Sequence, residues 1–162
     1  MPAYQFCPIC ATPLTFGQKE GNGYQYCPAC SFIHYNNPVP VVAAIVEHEG
    51  EIILARNKAW PSDWFGLITG FLEKDETPED AIIREVEEEL NLTGRIAEMV
   101  GVYTYFKLNQ VYIAYHVVAE GTILLNEELA EYKRVLPADL QPWPFGTGPA
   151  LKDWMERRRA GQ

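Results

Sequence analysis

The 162-residue sequence predicts an α/β sandwich on a mixed sheet, preceded by a small N-terminal ribbon. Three observations predict it. All four cysteines sit in the first thirty residues as two Cys-x-x-Cys pairs. From Val39 onward the periodic segments run β-β-β-α-β-β-β-α, the order of helices packed on a mixed sheet. The helix in the middle of that order carries start and stop signals at both ends. Hydrophobic residues at 48% and charged residues at 22% are the balance of a chain that buries a core.

The pairs are Cys7-Pro8-Ile9-Cys10 and Cys27-Pro28-Ala29-Cys30, with sixteen residues between them. Two disulfides are one reading. A repeated Cys-x-x-Cys in a chain whose first residues, Met1-Pro2-Ala3-Tyr4, form no export leader points instead to Zn²⁺ held by four thiolates. Such a shell has no open position, so Cys7, Cys10, Cys27 and Cys30 are expected to hold a structural metal that staples a module too small for its own core. Gly17, Gly21 and Gly23 are expected at turns between short strands around Phe16 and Tyr24–Tyr26. Residues 1–40 hold one lysine, Lys19, and no arginine, and the whole chain carries a net charge of −9. That charge distribution excludes a general nucleic-acid coat, where Lys and Arg neutralise phosphates. Asn36-Asn37-Pro38 marks the boundary between a ribbon over 1–36 and a second domain over 37–162.

In the second domain Val39–His48 reads as a strand, Glu49-Gly50 as a turn and Glu51–Arg56 as the returning strand of a hairpin. Residues 57–64 read as a loop and Phe65–Thr69 as a short strand. Beyond the central helix, strands are expected over 96–106, 110–119 and Tyr132–Leu136, and a last helix over Pro149–Arg158. The apolar runs Val39–Val46 and Val111–Ala119 are about half the length of a membrane-spanning helix. A cytoplasmic protein with no membrane partner is the expectation.

Thr77-Pro78-Glu79-Asp80 opens the central helix: Thr77 caps, Pro78 suits the first position, and the two acids complement the positive end. Asn91 stops it, because asparagine tolerates the left-handed conformation. At about 100° per residue, Ile82, Ile83, Val86 and Leu90 form one apolar face. Glu85, Glu88 and Glu89 form a stripe beside it, with Arg84 and Glu87 further round. Carboxylates three and four residues apart repel, and a partly buried cluster loses its charge unless a cation intervenes. Hard divalent ions select such oxygen-only sites.

From Gly70 the chain reads Gly70-x5-Glu76-x7-Arg84-Glu85-Val86-x-Glu88-Glu89-x-Asn91-Leu92. This resembles the Nudix box, Gly-x5-Glu-x7-Arg-Glu-U-x-Glu-Glu-x-Gly-U, where U is a bulky aliphatic residue; Asn91 replaces the last glycine. The resemblance implies a Nudix α/β/α sandwich with a mixed sheet behind the zinc ribbon. It implies a pyrophosphohydrolase that cleaves a nucleoside diphosphate linked to a group X into two monophosphates. It implies Mg²⁺ or Mn²⁺ on Glu85, Glu88 and Glu89, with the Gly70 carbonyl as a further ligand, and Glu76 and Arg84 as structural support. For the general base it leaves a box glutamate such as Glu85 or a distal one open, here Glu128 first and then Glu127. By analogy with Nudix relatives, a homodimer is expected.

A ribbon ahead of a Nudix domain is similar to two subfamilies, ADP-ribose/FAD pyrophosphatases and NADH pyrophosphatases. Gln141-Pro142-Trp143-Pro144-Phe145 matches the core of the NADH-enzyme signature, but starts about fifty residues after the box rather than within twenty; we read the match as coincidental. ADP-ribose or FAD is therefore the expected dinucleotide and NADH the alternative. Trp64, Phe65 and Tyr105, with Trp60, Tyr103 and Phe106 as further candidates, would stack on its rings. Arg56 is the expected phosphate-facing cation. A regulatory protein that keeps the scaffold as a non-catalytic ligand-binding module is the rival reading.

Overall fold

The computed structural model describes residues 4–19 and 22–160, which leaves Gly21 and the expected leader-free start at Met1–Ala3 outside the described residues. The chain divides into two compact units, Met1–Pro38 and Val39–Gln162. In the first, β1 (Thr15–Lys19), β2 (Asn22–Tyr26) and β3 (Ile33–His34) form an antiparallel sheet in that order. Gly17 and Gly23 lie inside β1 and β2, not at turns as expected. At Gly17 a side chain would press on the rings of Tyr26 and Tyr24, which stand 3.1 and 3.2 Å from where its first carbon would lie.

The second unit contains β4 (Val39–His48), β5 (Glu51–Asn57), β6 (Ile68–Phe71), α1 (Pro78–Leu90), β7 (Thr93–Tyr105), β8 (Gln110–Glu120), β9 (Leu129–Val135) and α2 (Gly148–Ala160). Six strands form a mixed sheet of order β7-β8-β4-β5-β9, with β6 also on β4. Only β4 and β8 run parallel; the other pairs are antiparallel. Glu49 and Gly50 both take positive φ, 53° and 81°, the two-residue turn that matches the twist of a hairpin.

Strand β4 is buried on both faces, so its sequence is almost continuously apolar. Val42, Ala44 and Val46 pack with Ala81, Ile82, Val86 and Leu90 of α1. Val41, Ala43 and Ile45 pack on the opposite side with Ala150, Leu151, Trp154 and Met155 of α2. Helix, sheet and helix therefore make the expected sandwich. Val46–His48 of β4 pairs with β5, whereas Val41–Ala44 pairs with β6. Along one edge the central strand thus serves two neighbours in turn, with β8 along the other.

Three elements differ from expectation. Strand β6 begins at Ile68, and Gly66 makes only a single bridge to Ala55. Strand β9 begins at Leu129, three residues early; apart from Leu129 its side chains are largely exposed, so no apolar alternation announces it. Strand β7 begins at Thr93 and carries two register shifts against β8, which break the two-residue period. Among the described residues no helix is long and apolar enough to cross a membrane.

Candidate active site

The central helix begins and ends where its sequence directs. The Thr77 hydroxyl accepts from the Asp80 amide at 3.1 Å, and Asn91 adopts φ 58°, ψ 32° while its N–H bonds the Glu87 carbonyl at 2.8 Å. With Ile82, Val86 and Leu90 buried in the core, the helix rotation is fixed. Its neighbouring stripe then runs from Glu85, 12% exposed in its side chain, through the more open Glu88 to the buried Glu89.

Gly70 of β6 lies directly beneath this stripe. A Cβ at Gly70 would fall within the Glu85 carboxylate. A side chain at position 70 would displace that carboxylate.

Arg84 does more than the helical wheel suggests. Its guanidinium grips Glu76 with two nitrogens, at 3.1 and 2.8 Å. The remaining nitrogen donates to Glu85 at 2.7 Å and Glu88 at 3.2 Å. Two of the three acids in the stripe thus share an internal cation, which relieves repulsion between them. Glu76, whose other partner is the Glu73 amide at 2.6 Å, is held below the usual carboxylate range by Arg84. Glu85 is pushed up by burial, which outweighs Arg84's opposing pull.

Glu89 is different. Among the described residues no donor or cation meets its carboxylate. Burial, and then the charges of Glu85, Glu128 and Glu88, push it up to about 8. Glu128 is drawn into this group by the chain after β8. The Asn126 amide donates to the Glu89 carbonyl at 3.3 Å, and the Asn126 side-chain oxygen accepts from the amides of Glu128 and Leu129 at 3.0 and 3.2 Å. Lys58 closes the loop from the other side. Its amide bonds the Glu128 carbonyl at 2.9 Å and its ammonium bonds the Glu127 carbonyl at 2.5 Å. Asn126 and Lys58 carry no motif that marks them in sequence, and local periodicity misses both.

The chain between β5 and β6 borders an open aromatic cleft of about 460 Å³. It brings together the expected Trp64, Phe65 and Tyr105, and adds Trp143 and Phe145. Trp64 and Phe145 touch at a ring-centroid distance of 5.7 Å, tilted by 41°. The Gln141–Phe145 segment, read from its position as a coincidental match, reaches this cleft through folding. A tight turn holds it there, with the Gly148 amide on the Phe145 carbonyl at 3.0 Å and no room for a side chain between Gly148 and the Trp143 carbonyl. Thr69 lines the cleft, whereas Gly70, the next residue of β6, faces the other way toward Glu85.

Other expected residues lie elsewhere. Arg56 is not in the cleft wall; its Nε donates to Glu131 across the ladder at 2.8 Å. Tyr103 donates to Asp153 of α2 at 2.8 Å, and Phe106 is exposed. Lys133 covers one face of Phe65, 3.7 Å from the ring centre.

In the first unit none of the four cysteines is bridged to another, in line with a metal cluster rather than two disulfides. Their sulfurs lie within 4.8 Å of one another, with pairs at 3.5, 3.6 and 3.8 Å. Four sulfurs about 2.3 Å from a central zinc ion, in a tetrahedron, stand about 3.8 Å apart. The cluster fits that ion.

A profile of the NUDIX domain matches residues 37–157. The chain belongs to the NUDIX family. This NUDIX chain is 29% identical over 162 residues to a Pseudomonas putida protein named NAD-capped RNA hydrolase NudC, an alignment covering 98% of this chain and 58% of that protein. It therefore spans a little over half the length of that curated relative. It is similar along nearly its whole length to the crystal structure of a NUDIX hydrolase from Nitrosomonas europaea. There the TM-score is 0.83 and the identity 29%, with 98% of this chain and 94% of the other covered. An ADP-ribose pyrophosphatase from Streptococcus suis, at 20% identity and a TM-score of 0.63 over 78% of this chain and 96% of that one, shares the NUDIX fold.

Proposed function

We propose that the chain is a divalent-metal-dependent diphosphatase that cleaves a nucleoside diphosphate–X linkage into two monophosphates, with ADP-ribose or FAD as the foremost substrates. The buried Glu89 carries this reading. A carboxylate surrounded by three others and met by no cation is the environment that a divalent ion stabilises. The donor set is all oxygen: Glu85, Glu88 and Glu89, with the Gly70 carbonyl in reserve. Bound there, Mg²⁺ or Mn²⁺ would neutralise phosphate oxygens and acidify water.

The chain's own residues have separable tasks. Arg84 fixes Glu85 and Glu88 to the loop that carries Glu76. Glu128, held beside Glu89, accepts the proton of the attacking water, with Glu127 as the second candidate. The new bond joins water oxygen to phosphorus as the bridging P–O bond breaks, and the freed phosphate leaves as a monophosphate. Trp64, Phe65 and Tyr105, with Trp143 and Phe145, receive the heteroaromatic ring at the far end. Cys7, Cys10, Cys27 and Cys30 hold zinc as a staple of a ribbon over 1–36.

A second substrate, NADH or a related dinucleotide, is favoured by one observation: Trp143 and Phe145 line the ring cleft. The name of the Pseudomonas putida relative agrees with it. Free dinucleotides rather than RNA suit a chain of net charge −9 with no arginine in its first forty residues. The test is phosphate release, coupled to a phosphatase, from ADP-ribose, FAD and NADH with Mg²⁺ or Mn²⁺ and with EDTA. Metal-dependent release supports the enzyme. No release from any compound leaves a ligand-binding module.

A further inference from the structure

The aromatic cleft has a charge character that stacking alone does not explain. Among the described residues that line it, Asp63 is the one charged side chain, and no lysine or arginine joins it. Asp63 stands between Pro61 and Trp64, in a turn closed by the Trp64 amide on the Pro61 carbonyl at 3.1 Å. Its carboxylate meets no cation or hydrogen-bond donor among the described residues. Lys133 covers one face of Phe65 and Arg56 pairs with Glu131, and neither is bonded to Asp63. An unpaired carboxylate at the rim of an aromatic slot accepts from N–H and O–H groups and repels anions.

We infer that Asp63 is a specificity-determining residue that admits a heteroaromatic ring on a sugar with free hydroxyls and rejects one whose sugar carries a phosphate. The ligand class is a nucleoside whose ribose diol is unmodified, and the carboxylate accepts from that diol. A 2′-phosphorylated nucleotide, or one continuing through a 3′-phosphodiester, brings two like charges together at the same rim. This rests on the reading of the cleft as the ring site, and it narrows the substrates to dinucleotides bearing no phosphate beyond the diphosphate.

The cleft can be tested without turnover. Three of the four tryptophans, Trp60, Trp64 and Trp143, line it, so intrinsic fluorescence reports its occupancy. The full chain in EDTA is titrated with adenosine and with adenosine 2′-monophosphate. The 2′-phosphate is expected to weaken binding roughly three- to tenfold, the effect of one repulsive pair at a few ångströms in a wet site. Asp63→Asn should narrow that ratio at least threefold, and Asp63→Lys should reverse it. Phe145→Ala should weaken both ligands equally, which shows that the ring sits in the cleft. Equal affinities in the unsubstituted protein, a ratio unmoved by Asp63→Asn, or no quenching by adenosine would each overturn the inference. None of these outcomes touches the acid site, whose hydrolysis is read separately by phosphate release.

Discussion

The carboxylate of Glu85 fills the space above Gly70 that any other residue's side chain would occupy. Strand β6 and helix α1 pack through Ile68 against the apolar face of the helix, and at Gly70 a charged side chain takes the place of a missing one. Gly70→Ala should therefore displace Glu85 while leaving the strand intact, since Gly70 has no positive φ for alanine to strain. A shift of an ångström at a reacting centre costs about a hundredfold in rate. Turnover of ADP-ribose with Mg²⁺ should fall by about that factor, with the circular dichroism spectrum unchanged.

Arg84 is the shared cation of Glu76, Glu85 and Glu88. Arg84→Met leaves the partly buried Glu76 and Glu85 and the more open Glu88 without their shared cation and should cost about 1–3 kcal/mol, below the range for a fully buried pair because Arg84 keeps a quarter of its side-chain surface. Arg84→Lys keeps the charge but loses the fork, and should fall between the two. Urea unfolding of the three proteins in EDTA checks the order.

Glu89 makes stability depend on pH in an unusual direction. Its ordinary value is 4.5 and its folded value is about 8, so between them the native state binds more protons than the unfolded chain. Stability in EDTA should therefore fall as pH rises from about 5 to about 8. Glu76 and Glu49, both lowered by arginines, act oppositely and below that window, losing their contribution as pH falls through their folded values. Glu89→Gln should flatten the slope between pH 5 and 8 and raise the unfolding midpoint at pH 8, while abolishing hydrolysis. A slope that survives Glu89→Gln would show that another group produces it.

The cysteine cluster predicts metal-dependent folding of the first unit. One equivalent of zinc should be measured per chain by mass spectrometry under native conditions. Cys7→Ser should release it and open the strands Thr15–Tyr26 to rapid hydrogen exchange, with the strands from Val39 onward still protected.

Much of this was legible in the sequence where the physics is local. Thr77 and Asn91 bound the helix because capping depends on a few adjacent residues, and the four buried positions then set which acids share a stripe. The hairpin at Glu49-Gly50 was readable for the same reason. What escaped is set by reach and by register. A helical wheel sets Arg84 beside Glu88 but a quarter-turn or more from Glu85, and it gives no sign that the same side chain also reaches back to Glu76. Arg56 looked like a free cation until its ladder partner Glu131 was known, and that pairing spans 75 positions of chain. Trp143 and Phe145 were seen as a motif but not as part of the cleft, because only tertiary folding carries them to Trp64. Distance along the chain alone points to Glu128, and the bonds of Asn126 and of the Lys58 amide hold its backbone where its charge acts on Glu89.

The most direct measurement is calorimetric titration of Mn²⁺ into the protein at pH 7 in buffers of different ionisation enthalpy. A carboxyl held near 8 is about nine-tenths protonated at pH 7, so binding at Glu89 should release close to one proton per ion, and Glu89→Gln should abolish both heat and proton. Mn²⁺ that binds unchanged in Glu89→Gln, or binds without releasing a proton, would contradict the assignment of the metal centre to this helix.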